Sequence, residues 1–221
     1  MTPIAHAIYL HGFASSPLSS KAARFQRELT ARGVGYACPD FNQPAFESLT
    51  VTRMLDETRA AIAGAPAPVA LIGSSLGAFV AVHAADQDRS GKVDRLVLLA
   101  PALDFGGNRL RQLGGQGLDE WRRLGRLRVF HYAFGEPRDV GFALYEDAAR
   151  YDAFGIRLRQ PTVIFQGKQD QSVDPDMVAR WAAERPGVDL RLLDDDHQLT
   201  ASMDVIWRAC EGFFGLADRR P

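Results

Sequence analysis

Short apolar runs alternate with longer amphipathic segments along most of the chain. The runs predicted to be strands are Ala5–Leu10, Val34–Cys38, Val69–Gly73, Arg95–Ala100, Thr162–Gln166 and Asp189–Leu193. Each run is short and almost continuously apolar, as expected of a strand that helices cover on both faces. The alternation predicts repeated β-α units and a mostly parallel sheet.

Five amphipathic segments between these runs are predicted to be helices: Ser20–Ala31, Glu47–Ala63, Leu76–Gln87, Pro175–Arg185 and Thr200–Phe214. Residues that commonly end or begin helices support these assignments. Gly33 and Gly64 follow the first two segments, and Asp174 with Pro175 resembles an N-cap followed by a first-turn proline.

The segment Pro101–Asp152 interrupts this alternation with many glycines and predicts a cap inserted over the sheet. Within it, Leu127–Phe134 and Val140–Leu144 are predicted to pair as a hairpin. The chain has 221 residues and is 46% hydrophobic, which suits a single domain over residues 1–221 with one buried core.

Composition excludes several classes of function. The 26 basic and 27 acidic side chains give a formal charge of −1, which disfavours nucleic acid as a partner. Two cysteines are too few for a disulfide framework, and neither a signal peptide nor an apolar stretch of roughly 20 residues is present. We therefore expect a cytoplasmic protein with no membrane span.

No motif predicts a cofactor or a metal. Gly33-Val34-Gly35 resembles a dinucleotide fingerprint but precedes a strand instead of following one. Asp194, Asp195, Asp196 and His197 lack a second histidine or a cysteine at the spacing that a metal site requires.

The most informative motif is Gly73-Ser74-Ser75-Leu76-Gly77, which lies directly between a predicted strand and a predicted helix. A Gly-x-Ser-x-Gly pentapeptide in that setting predicts a nucleophile elbow, with Ser75 exposed on a sharp turn. Glycines on both sides relieve the steric crowding of such a turn. The alternative is an ordinary helix N-cap after a strand.

Two backbone amides are predicted to form an oxyanion hole for this serine. The Leu76 amide lies in the first helical turn, where donors are free and the helix dipole favours negative charge. The segment His11-Gly12-Phe13 follows the first strand, and we assign the Phe13 amide as the second donor. His11 is expected to orient this loop through a ring hydrogen bond.

A serine nucleophile needs a base and an orienting carboxylate, and both are predicted from loops that follow strands. Asp170 follows the fifth strand and His197 follows the sixth, at the sheet edge where open α/β sheets bind ligands. Asp174 is the rival acid, although the proline after it favours a helix-cap role. Asp194–Asp196 are also candidates and are expected to shape a turn.

These motifs resemble the α/β-hydrolase superfamily from Ala5 to about Phe214. The segment from Tyr9 to Pro17 and the pentapeptide around Ser75 are similar to those of compact bacterial YqiA-like esterases. The resemblance implies a sheet with strand order 2-1-3-4-5-6 and helices on both faces. It also implies that substrate pockets arise in the cap segment.

The residues expected to contact substrate are His11, Gly12, Ser74, Trp121 and Phe134. The cap aromatics have an alternative role, which is to bury the cap on the core. We expect hydrolysis of a small-molecule carboxylic ester or thioester through acyl-Ser75. Peptide or amide cleavage by the same triad, and a non-catalytic binding role, are the alternatives. A homodimer is a possible assembly.

Overall fold

One parallel sheet organises the computed structural model, which describes residues 2–109 and 117–217, without the side chains of residues 108 and 109. The eight strands are β1 (His6–Leu10), β2 (Gly35–Ala37), β3 (Val69–Ser74), β4 (Val93–Leu99), β5 (Arg126–His131), β6 (Glu136–Gly141), β7 (Thr162–Gly167) and β8 (Val188–Leu193). Six of them form the sheet in the order β2-β1-β3-β4-β7-β8, with every pairing parallel. Numbered within the sheet alone, this is the order 2-1-3-4-5-6 that the resemblance implies.

Helices cover both faces of this sheet. They are α1 (Ser20–Thr30), α2 (Val51–Gly64), α3 (Leu76–Gln87), α4 (Leu118–Leu124), α5 (Ala143–Ala148), α6 (Pro175–Ala183) and α7 (Met203–Phe213). One face packs against α1 and α7, where Phe25 and Trp207 meet with ring centroids 5.9 Å apart. The other face packs against α2, α3 and α6. The structure thus has the three layers that the sequence predicts.

Most element boundaries agree with the sequence-based prediction, and α3 agrees at both ends. Helix α2 begins at Val51 and not at Glu47, because Phe46–Ser48 forms a separate turn and the Thr50 hydroxyl caps the Arg53 amide. Helix α7 begins three residues later than predicted, at Met203.

The cap segment contains a single π-helical turn at Phe105–Arg109, then α4, the β5-β6 hairpin and α5. The predicted hairpin is confirmed, but its second strand lies earlier, with Arg126 opposite Gly141 and His131 opposite Glu136. Leu110 and Leu113, two apolar residues of the cap segment, lie outside the described residues.

The apolar side chains of the cap divide into two groups. Trp121, Val140 and Leu144 are buried in the core cluster that includes α2 and α3. Phe130 and Tyr132 near the hairpin turn are 52% and 75% exposed. The cap therefore buries its own base on the sheet and presents aromatic side chains only near its turn.

Hydrogen bonds join the hairpin to the loop that follows β1. The Tyr132 amide donates to the Ala14 carbonyl at 3.0 Å. The Asn42 side chain donates to the Ser15 carbonyl at 2.9 Å and accepts from His131 Nε2 at 2.8 Å. The cap and this loop are thus one connected unit.

Among the residues that the structure describes, no helix has the length and apolar character needed to cross a membrane.

Candidate active site

All the candidate chemistry gathers at one edge of the sheet. Because the strands are parallel, the loops after β1, β3, β7 and β8 leave from the same edge. These loops carry Phe13, Ser75, Asp170 and His197 respectively. Residues separated by more than 180 positions in the chain are therefore brought to a common edge, as the sequence predicts for an open α/β sheet.

Ser75 occupies a strained turn between β3 and α3. Its backbone has φ 52° and ψ −114°, a conformation that residues other than glycine rarely adopt. The flanking glycines have a steric cause: a Cβ at Gly77 would collide with the Leu10 carbonyl, and one at Gly73 would collide with the Ala78 backbone. The turn therefore requires the motif that the sequence contains, and it leaves Ser75 half-buried.

The loop after β1 approaches Ser75 closely. A Cβ at Gly12 would lie 3.2 Å from the Ser75 Cβ, so this loop passes beside the serine. Neither the Phe13 amide nor the Leu76 amide donates a hydrogen bond to another described residue. Two free N–H donors on the two segments that flank the serine are the arrangement an oxyanion hole needs.

His11 is 2% exposed, and its ring orients the loop after β1. The Phe41 amide donates to Nε2 at 3.0 Å, so the ring proton resides on Nδ1, which donates to the Gly12 carbonyl at 2.9 Å. Burial lowers the pKa of His11, with partial opposition from the Gly12 hydrogen bond and from Asp40. Both ring nitrogens are engaged with backbone, so His11 holds the loop as a neutral imidazole.

Asp170 and His197 form a hydrogen-bonded pair. His197 Nδ1 lies 2.8 Å from Asp170 Oδ2, and the Asp170 side chain is fully buried. Asp170 Oδ1 accepts the amides of Ser172 and Val173 at 2.7 and 2.8 Å. Burial alone would raise the pKa of Asp170, but the hydrogen bonds from His197 and Val173 and the His197 charge hold it below its ordinary value. Asp170 is thus a buried ionised carboxylate.

The rival carboxylates have other partners. Asp174 is the N-cap of α6, where its Oδ1 accepts the Asp176 amide at 2.9 Å. Asp195 accepts the amides of Asp196 and Ser202, and Asp196 accepts that of Gln198. These carboxylates cap a helix and shape the turn around His197.

The Ser75 hydroxyl has no hydrogen-bond partner among the side chains that the structure describes. Because the ionised Asp170 can only accept, His197 Nδ1 carries a ring proton, which leaves Nε2 as the ring nitrogen that can exchange a proton with a substrate or nucleophile. The site thus offers an imidazole oriented by a carboxylate and a serine hydroxyl without a described partner at one edge of the sheet.

Of the remaining candidates, three are placed as follows. Ser74 is 6% exposed, in β3 next to the nucleophile. Trp121 is 1% exposed and its indole N–H donates to the Val140 carbonyl, so it is part of the cap core. Phe134 is 48% exposed in the hairpin turn, with its ring tilted against that of His131 and the ring centroids 4.3 Å apart. The structure does not bring Trp121 to the site surface.

Two residues that sequence reasoning missed donate hydrogen bonds to Asp170 or to the loop that carries His197. Gln166, the buried penultimate residue of β7, donates from Nε2 to Asp170 Oδ2 at 3.0 Å. Lys21 in α1 donates from Nζ to the Gln198 carbonyl at 3.0 Å. Each is a polar residue at a position where the pattern of its helix or strand calls for an apolar one. A polar residue at such a position is the sequence feature that could have revealed both.

Within residues 2–109 and 117–217, no cluster of three or more His, Cys, Asp or Glu residues could hold a metal ion. A cavity of about 590 Å³ lies at the opposite edge of the sheet, where its lining includes Arg89, Arg157 and Arg159. That cavity contains no nucleophile paired with a base, so we place the candidate active site at the edge that holds Ser75.

Comparison with solved structures gives similar folds over almost the whole chain. A candidate hydrolase from Agrobacterium vitis S4 is 25% identical, with a TM-score of 0.83 over 95% of this chain and 87% of that chain. Est1E from Butyrivibrio proteoclasticus, bound to ferulic acid, is 18% identical, with a TM-score of 0.82 over 94% and 87%. Alpha/beta hydrolase domain-containing protein 10 from mouse is 19% identical, with a TM-score of 0.79 over 95% and 89%. The fold is that of the α/β-hydrolases.

A search of curated proteins gives no match. The model of one protein family matches residues 6–214, which include Ser75, Asp170 and His197. That span covers nearly the entire chain, from β1 to the end of α7. The chain belongs to the uncharacterised protein family UPF0227.

Proposed function

We infer that this protein is a serine hydrolase that cleaves carboxylic esters or thioesters through an acyl-Ser75 intermediate. The observation that carries this proposal is the 2.8 Å hydrogen bond between His197 Nδ1 and Asp170 Oδ2, at the sheet edge that also presents Ser75. The structural neighbours described as hydrolases support the broader class of activity.

Acylation begins with the Ser75 hydroxyl. Its oxygen attacks the carbonyl carbon of the substrate while its proton passes to His197 Nε2. The imidazolium that results is stabilised by the ionised Asp170, which keeps the ring in the required tautomer. Negative charge develops on the carbonyl oxygen, and the free amides of Phe13 and Leu76 are placed to receive it.

Collapse of the tetrahedral intermediate releases the alcohol or thiol, which takes the proton from His197. Water then repeats the sequence: His197 removes its proton, the acyl-Ser75 bond breaks, and the serine recovers its hydroxyl hydrogen. The net reaction consumes one water and releases a carboxylic acid. Est1E, the neighbour bound to ferulic acid, holds a carboxylic acid, which is the kind of product that ester hydrolysis releases.

The Ser75–His197 contact closes during this cycle. Hydrogen bonds between a nucleophile and its base are often long in the absence of substrate and tighten when substrate binds. His197 is the more accessible member of the pair: its side chain is 20% exposed, whereas that of Asp170 is fully buried.

The test is turnover of a short-chain nitrophenyl ester by the Ser75→Ala variant. We expect turnover to fall by about 1,000-fold or more, because the variant lacks the hydroxyl that forms the acyl intermediate. The Tm should stay near that of the wild type, since the hydroxyl has no described partner. Ser90→Ala, in the turn before β4, is the matched control and should retain activity. Full activity of Ser75→Ala would contradict the proposal.

A substrate panel separates the alternatives. Esters of increasing acyl length, thioesters and aminoacyl amides should be compared at equal concentration, and a fluorophosphonate probe should label the folded wild-type protein at Ser75. Turnover of amides alone would favour a peptidase. Absence of both labelling and turnover would favour a non-catalytic binding protein.

A further inference from the structure

We propose that Lys21 is a positioning residue that holds the loop carrying His197 in register with Asp170. This inference rests on the proposed function, because it assigns a role in presenting the base of that same site. Lys21 belongs to α1 and is separated from Gln198 by 177 positions in the chain.

Lys21 lies where the helix pattern calls for an apolar residue. The buried residues of α1 include Lys21, Phe25 and Leu29, which recur at intervals of four and share one face of the helix. Phe25 and Leu29 enter the core against α7. Lys21 begins the same stripe and is only 9% exposed, yet it carries an ammonium group.

The ammonium group reaches the loop after β8. Nζ donates to the Gln198 carbonyl at 3.0 Å, one residue beyond His197. That is the hydrogen bond to protein that the structure describes for this side chain. A buried lysine directed at a single loop carbonyl constrains the backbone that carries the His197 ring.

The loop needs such a constraint because its backbone is strained. Leu199, the residue after Gln198, has φ 55°, a left-handed conformation that a bulky side chain rarely adopts. The Leu199 side chain is fully buried, which fixes one end of the turn. Lys21 fixes the carbonyl just before it, so the turn is anchored both at its strained residue and at the residue that precedes it.

The charge of Lys21 also suits its surroundings. Burial lowers the pKa of Lys21 to about 8, while Asp170, Asp196 and Asp195 oppose that shift by favouring the ammonium form. At neutral pH the group is therefore largely protonated and donates to the Gln198 carbonyl as a cation. A charge-assisted hydrogen bond is stronger than a neutral one.

The experiment compares Lys21→Met with Lys92→Met. Lys92 is the matched control because its Nζ also donates to backbone carbonyls, those of Ala63 and Ala65 at 2.7 and 2.9 Å, at the end of α2. We expect kcat on a nitrophenyl ester to fall roughly 10- to 100-fold in Lys21→Met with KM changed less than about twofold, because small displacements of a catalytic group cost this much. Lys92→Met should lose stability but keep its kcat.

A second readout does not depend on turnover. The Nδ1 proton of His197, in its hydrogen bond to Asp170, gives a downfield proton NMR signal that can be assigned with Asp170→Asn. This signal should be lost or shifted in Lys21→Met and unchanged in Lys92→Met. Lys21→Arg, which keeps a cationic donor, should restore most of the signal and of kcat. If Lys21→Met does not fold, Lys21→Gln replaces it.

The possible results separate the two proposals. A Lys21→Met protein with wild-type kcat and an unchanged His197 signal would overturn the positioning role, even with Ser75→Ala inactive. Full activity of Ser75→Ala would overturn the proposed function, whereas the NMR comparison would still report whether Lys21 holds the loop.

Discussion

The turns at the two edges of the sheet differ in the residues that adopt positive φ. At the carboxyl edge, non-glycine residues adopt positive φ after four strands; they are Ala14, Ser75, Ala100 and Leu199. At the amino edge, the positive φ values before β2 and β4 belong to Gly33 and Gly91. Among the described residues, strained turns of this kind are therefore confined to the edge that carries the candidate site.

Each edge also holds a carboxylate that accepts two backbone amides. Asp170 does so at the carboxyl edge and Asp88 does so at the amino edge, from Ser90 and Val93. Only Asp170 has a histidine as an additional partner. Among the described residues, the carboxyl edge thus combines strained non-glycine turns with a buried carboxylate paired to a histidine, and the amino edge has neither, as expected where geometry serves chemistry.

The largest expected effect comes from exchanging these two carboxylates for amides. Asp170→Asn should lower kcat by about 1,000-fold or more, because an amide neither stabilises the imidazolium nor enforces the Nδ1–H tautomer of His197. Asp88→Asn removes a carboxylate that likewise accepts two backbone amides, and it should reduce thermal stability alone. Ester turnover and Tm of both variants check this, and equal losses of kcat would erase the distinction between the edges.

A smaller effect concerns His83, in the middle of α3 between the two edges. Burial lowers its pKa from 6.5 to about 4, against a weaker opposing effect of Asp152, and its Nε2 has no described partner. Between pH 6.5 and 4 the His83 imidazole is protonated in the unfolded chain but stays neutral in the native protein. The free energy of unfolding therefore falls as the pH is lowered through this range. The loss should be on the order of 2 to 3 kcal/mol.

Urea unfolding at a series of pH values measures this slope. His83→Leu should make this slope less steep, because the variant has no imidazole at position 83 to protonate in the unfolded state, while His11 still contributes. A slope identical to that of the wild type would show that His83 does not contribute to the acid sensitivity.

The smallest expected effect is on stability, when a glycine is introduced at a turn of one edge and removed from a turn of the other. Ser75→Gly should raise stability by about 1 kcal/mol, because glycine adopts the strained backbone of this turn freely and the serine hydroxyl has no described partner to lose. Gly91→Ala should lower stability by about 1 kcal/mol, since its φ of 67° disfavours a Cβ although there is open space around it. Thermal unfolding of both variants tests the comparison, which fails if both changes have the same sign.

Much of this fold follows from local sequence patterns. The apolar runs predict all six sheet strands, because strands that helices cover on both faces are mostly apolar. The bounds of α3 are predicted at both ends, since a glycine-flanked turn precedes it. The start of α7 is not, because residues 200–202 continue a turn that follows the left-handed Leu199, and nothing local marks that conformation.

The main residues of the candidate site are also predictable from the sequence, whereas the residues that support them are not. Ser75, Asp170 and His197 each follow a strand in a recognisable setting, so their approach to one edge follows from the parallel topology. Lys21 and Gln166 do not emerge, because their partners are distant backbone or a buried carboxylate. The positions of the cap aromatics also depend on packing: the same apolar character leads Trp121 into the core and leaves Phe130 exposed.

The link between the hairpin and the loop after β1 has a consequence for how substrate enters. Tyr132 and Asn42 tie the cap to Ala14 and Ser15, next to the Phe13 amide. If the hairpin swings outward to admit a large molecule, the amide that should bind the oxyanion is displaced with it. Bulky substrates would then be rejected kinetically, because admission and reaction demand incompatible positions of the same loop.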